Sequence, residues 1–91
     1  MQTKGFFNYL EYEKRVSPDT ITAYRKDLVQ FQEYLHTTYE IQADVAVKPQ
    51  HIRSWVVDMV SAGLAMSTVK RKLSALKSYY NYAQRYHGLE K

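Results

Sequence analysis

Residues Ser67 to Tyr82 read as one helix with two dissimilar faces, and this constrains the whole chain. Val69, Leu73, Leu76, Tyr80 and Ala83 recur at helical spacing as an apolar stripe. The other side carries Lys70, Arg71, Ser74, Lys77, Ser78, Asn81 and Arg85, cations and small polar donors with no carboxylate among them. The apolar stripe has to be covered by other helices. The basic side, fringed by small hydroxyls, suits a polyanion such as a DNA groove.

The chain has 91 residues, which allows one small domain over 1–91 and no catalytic domain beside it. A hydrophobic fraction of 45% and an aromatic fraction of 14% favour a packed core over disorder. With no cysteine, the chain has no disulfide, thiolate-zinc or cysteine-nucleophile chemistry. No apolar run reaches the length of a membrane span and no signal-peptide core is visible, so a soluble cytoplasmic protein is the expectation. The net charge is +4, and it is unevenly placed. From Ser67 onward six cations face one acid, Glu90, whereas the preceding residues hold seven cations and eight acids. The excess sits on the last helix.

The pattern predicts an all-α fold of four helices. The first spans about Lys4 to Lys14, with Phe6, Phe7 and Leu10 turned inward. The second starts at Ser17-Pro18-Asp19, a cap, a favourable first residue and an acid at the positive end of the dipole. Its core stripe is Ile21, Tyr24, Leu28, Phe31 and Leu35, and it ends near Thr37–Tyr39. Residues 40–48 read as an irregular connector packed through Ile41, Val45 and Val47. The third helix opens at Pro49, runs through Ile52, Trp55, Val56, Met59 and Val60, and meets a C-terminal cap at Gly63. The fourth is expected to end at Gly88.

Several constellations have plainer alternatives. Lys70 and Lys77 stand two turns apart with Ser74 between them and Arg71 and Ser78 alongside, as a phosphate-binding face requires. A solvated surface explains the same residues by composition alone, but solvated faces usually mix charge signs and this one does not. On the second helix Thr22, Arg25 and Lys26 add a second polar and cationic edge, although Asp27 and Glu33 follow closely and plain surface explains them too. Tyr79, Tyr80, Tyr82 and Tyr86 raise single-strand stacking. Core packing is favoured for Tyr80 on the stripe and Tyr79 at its border, with Tyr82 and Tyr86 left as candidates for exposure. His36, His51 and His87 lack metal-ligand spacing, so neither a metal site, a cofactor site nor a catalytic set is expected.

Two stretches carry a family resemblance. Val16-Ser-Pro-Asp-Thr-Ile-Thr-Ala-Tyr-Arg-Lys-Asp-Leu-Val-Gln-Phe31 resembles Ser-x-x-Thr-x-x-x-Tyr-x-x-Asp-Leu-x-x-Phe. Thr68-Val-Lys-Arg-Lys-Leu-Ser-Ala-Leu-Lys-Ser-Tyr-Tyr80 resembles Thr-[Ile/Val]-x-Arg-x-Leu-Ser-Ala-Leu-Arg-x-Phe-Tyr. Both belong to the N-terminal core-binding, SAM-like domain of tyrosine recombinases, the phage-type integrases and Xer-type enzymes. The resemblance implies two crossed helical hairpins forming half of a clamp on duplex DNA, the other half being a C-terminal catalytic domain. It places the second and fourth helices near the major groove and matches Thr68, Arg71, Ser74 and Lys77 to the motif. It also implies other recombinase protomers as partners in DNA integration and recombination. Two positions depart from the pattern. Ala65 stands where a capping serine is common, so that either Ser67 caps or the helix starts later. Lys77 replaces an arginine, which keeps a phosphate contact better than a bidentate base contact. The family's His-x-x-Arg motif is absent here, and no tyrosine of this chain reads as a nucleophile.

The DNA-facing set is therefore Thr22, Arg25, Lys26, Ser67, Thr68, Lys70, Arg71, Ser74, Lys77 and Ser78. Arg71 and Lys77 are expected to serve DNA without serving the fold. The competing reading is a helical protein–protein interaction module with an incidental basic face, anchored by Trp55 and exposed tyrosines.

Overall fold

Prolines open two helices and a glycine follows the end of one of them in a computed structural model that describes residues 3–41 and 47–87. The helices are α1 (Lys4–Tyr12), α2 (Pro18–Tyr39), α3 (Pro49–Ser61) and α4 (Met66–His87). Ser17 caps α2, its hydroxyl oxygen accepting the Thr20 backbone N–H at 3.3 Å, with Pro18 in the first helical position. At α3 the Lys48 N–H donates to Nδ1 of His51 at 2.9 Å, which gives that buried histidine a structural place.

Gly63 closes α3 as expected. Its φ is +88°, its N–H returns to Val60 O, and the Leu64 N–H returns to Met59 O, the paired bonds of a Schellman turn. A Cβ at Gly63 would meet no atom within 4 Å, so any cost of a side chain there is backbone strain. Gly63→Ala is expected to lower stability by about 1 kcal/mol, read as a fall in melting temperature with unchanged helix content.

Two ends differ from expectation. α1 stops at Tyr12, two residues early, because Arg15 adopts a left-handed φ of 53° and the Val16 N–H folds back to Leu10 O at 2.9 Å. α4 starts at Met66, with the Val69 N–H on Ala65 O at 3.1 Å, so Ser67 lies inside the first turn and does not cap it. The expected stop at Gly88, the connector residue Val45 and the Tyr86 side chain lie outside the described residues.

The α1–α2 and α3–α4 hairpins cross, giving the expected all-α four-helix arrangement. The long helices α2 and α4 share the most extensive interface, while α1 and α3 each touch both of them from separate sides. The core gathers Phe6, Phe7 and Leu10 from α1, Leu28, Phe31 and Leu35 from α2, and Trp55 and Met59 from α3. α4 adds Val69, Ala75, Leu76, Tyr79 and Ala83. Phe31 lies against Trp55 with ring centroids 5.0 Å apart, joining the hairpins. Burial pushes the Tyr34 phenol above its ordinary range, where it shares a hydrogen bond with the Ser54 hydroxyl. No described helix is long and apolar enough to cross a membrane.

The inward face of α4 keeps Val69, Leu76 and Ala83 of its apolar pattern but turns toward Lys72, Ala75 and Tyr79. Tyr79 is buried, edge-on to Phe6, while Tyr80 and Leu73 are half-buried. Val60, expected inside, is exposed. The cause of the turn in α4 is polar and lies at its crossing with α2.

Candidate nucleic-acid interface

At that crossing Asp27 is fully buried, where the sequence had suggested surface. Its Oδ2 accepts Nε–H of Arg71 at 3.1 Å, and its Oδ1 accepts Nη2–H of Arg71 at 2.8 Å. The Lys72 ammonium donates to the same Oδ1 at 2.8 Å and also to Oε1 of Gln30. A buried carboxylate is strongly unfavourable unless paired. Here it meets two cations and accepts three hydrogen bonds from them. The hydrogen bonds and charge of Asp27 hold the Arg71 guanidinium still further above its ordinary range, against a smaller opposing effect of burial.

Two sequence expectations change here. Arg71 is a tie between α2 and α4 as well as a surface cation, so it does serve the fold. Lys72, counted in the basic excess of the last helix, is buried and its charge is spent on Asp27. The clue was in the two motifs themselves. The aspartate of the first and the arginine of the second are the partners of this ion pair.

The rest of the basic side of α4 faces solvent. Ser67, Lys70, Ser74, Lys77, Asn81 and Arg85 are exposed, Ser78 and Thr68 are half-buried, and no carboxylate occurs anywhere in α4. Lys70 and Lys77 are separated by about 10.5 Å along the helix axis. On α2, Thr22, Arg25 and Lys26 are exposed, but they do not form one edge. Successive helical residues diverge by about 100°. Lys26 accordingly points away from Arg25, whose guanidinium sits 4.2 Å from the ring centroid of Phe7 on α1. The structure thus gathers the α4 residues along one helix side and sets Arg25 on the α1 flank.

A groove of about 680 Å³ continues from this side toward α1, lined by Tyr9, Lys14, Tyr24, Asn81, Tyr82 and Arg85 among others. Tyr82 is half-buried against Phe6 and Tyr9. Trp55 is buried behind Phe31 and Tyr34, so it cannot anchor a partner as the interaction-module reading required.

Comparison with known proteins shows the family of the chain. A family model described as "Phage integrase, N-terminal SAM-like domain" matches residues 3–87. Tyrosine recombinase XerC of Lacticaseibacillus casei is 35% identical over 81 residues, covering 89% of this chain and 27% of the relative. XerC of Chlorobaculum tepidum is 34% identical over 82 residues, 85% of this chain and 24% of the relative. Tyrosine recombinase XerD of Rickettsia conorii is 33% identical over 79 residues, again 85% of this chain and 24% of the relative. The chain thus spans about a quarter of the length of the curated relatives it matches. No solved structure gives a significant match.

Proposed function

The chain belongs to the phage integrase N-terminal, SAM-like domain family, and we propose that it binds duplex DNA through the outer side of α4. In this reading Lys70, Arg71 and Lys77 contact phosphates, with Ser67, Thr68, Ser74 and Ser78 as short donors. Lys26 and Thr22 extend the contact from α2, and Arg25 reaches the DNA only from the α1 flank. The domain forms half of a clamp whose other half is a C-terminal catalytic domain of a tyrosine recombinase, and it performs no strand cleavage itself. Other recombinase protomers are its partners in integration and recombination.

The observation that carries this reading is the exposed, carboxylate-free cationic side of α4. Binding of this kind is chiefly electrostatic, driven by counterion release. With about four to six phosphates neutralised, log K should fall against log salt with a slope of roughly −4 to −5, and the isolated domain should bind in the micromolar range or weaker.

Fluorescence anisotropy with a labelled duplex, titrated at several salt concentrations, tests this. Lys70→Ala with Lys77→Ala should flatten the slope by about 1.8, one increment of about 0.9 per lost phosphate contact. Both side chains are exposed and lie outside the core, so the melting temperature should hold. An affinity indifferent to salt would overturn the proposal.

A further inference from the structure

The ion cluster at the α2–α4 crossing also controls how Arg71 is presented. Asp27 occupies Nε–H and one Nη2–H, which is one edge of the guanidinium. The group has five N–H donors in a rigid planar fork, so fixing one edge fixes the direction of the others. The Arg71 side chain remains 45% exposed while that of Asp27 is 1% exposed. The bound edge therefore faces the interior and the free edge faces solvent. Lys72 adds a second cation to the same carboxylate, so the cluster of two cations and one acid keeps a net positive charge. Ser67 lies four residues before Arg71 and Ser74 three residues after it, both exposed and on the same side of α4.

We propose that Asp27 is a positioning residue for a phosphate site. It holds Arg71 against α2 so that the free edge of the guanidinium, flanked by the Ser67 and Ser74 hydroxyls, takes one phosphodiester phosphate. Lys72 and Gln30 keep Asp27 in place from the other side. This inference rests on the duplex-DNA reading above and adds a device to it. An exposed arginine without such a brace would have to give up its rotamer freedom on binding, whereas Arg71 has already given it up on folding.

The test uses the labelled duplex and salt titration, run well below the melting temperature of every variant. Arg71→Gln should lower affinity and flatten the slope by about 0.9. Asp27→Asn keeps the side-chain shape and the Arg71 charge but weakens the brace. Its slope should match that of the unaltered protein while its affinity falls severalfold. That fall is the diagnostic result, because removing a negative charge from a DNA-binding domain should otherwise strengthen binding. Should Asp27→Asn fail to fold, Arg71→Lys serves in its place. It keeps the charge and the ion pair but loses the outer fork, so its affinity should fall with the slope retained. Binding by Asp27→Asn, or by Arg71→Lys, as tight as that of the unaltered protein would overturn the positioning role. An unchanged slope in Arg71→Gln would overturn the phosphate site itself. In either case a flattened slope in the Lys70 and Lys77 variant would leave the duplex-DNA reading intact, whereas no response in any variant would remove both.

Discussion

Replacing Asp27 with alanine is expected to lower folding stability by about 3–5 kcal/mol, an effect on the scale of losing a large core side chain. The cause is the ammonium it leaves behind. Lys72 is buried to 5% exposure on the inward face of α4, and without Asp27 its charge keeps only the Gln30 amide oxygen. Arg71 contributes less to the loss, because its half-exposed guanidinium can turn to water. A domain of this length has a total stability of about 5–14 kcal/mol, so the variant is left near the edge of folding. The melting temperature should fall by about 15–30 °C. Two companions assign the effect. Arg71→Ala should cost only about 1 kcal/mol, since Asp27 then still has Lys72. Asp27→Leu combined with Lys72→Met removes both buried charges and should recover most of the loss, as apolar groups of similar size can replace a buried ion pair. Thermal unfolding followed by circular dichroism reads all three. A shift of only a degree or two in Asp27→Ala would mean that the cluster contributes little to folding.

That cluster also marks where sequence reasoning stops. Ser17-Pro18 and Gly63 were legible because a cap, a first-position proline and a left-handed glycine act through bonds a few residues long. Phe6, Phe7, Leu10, Leu28, Phe31 and Leu35 were legible because apolar periodicity alone decides their burial. Asp27 was not, since its burial depends on two cations 44 and 45 residues away. The same contact explains the errors along α4. Lys72 goes inside because Asp27 is there, which rotates the inward face so that Tyr79 is buried in preference to Tyr80. The outer cations needed no such information. Lys70 and Lys77 each follow a buried apolar residue, Val69 and Leu76, by about 100° around the helix, and both are exposed.

Phe31→Ala should cost about 3–5 kcal/mol for a different reason, the loss of apolar contacts and the cavity left behind. Phe31 is fully buried near the middle of α2, and its ring packs on Trp55 of α3 at 5.0 Å with 47° between the planes. It therefore joins the first hairpin to the second. Phe31→Leu, which keeps most of the volume, should cost less, about 1–1.5 kcal/mol. Trp55 is the chain's single tryptophan, so its fluorescence reports on this joint directly. If the two hairpins form one cooperative unit, unfolding followed by Trp55 emission and by helical circular dichroism should coincide in the alanine variant. A Trp55 transition that precedes the loss of helix would show that α3 separates from α2 first, and that the hairpins are only loosely coupled. The DNA response separates packing from function. Phe31 contributes nothing to the outer side of α4, so the folded variant should keep the salt slope of the unaltered protein. The same slope in a domain weakened by several kcal/mol would place the DNA contacts on the surface of α4 and not in the rigidity of the core behind it.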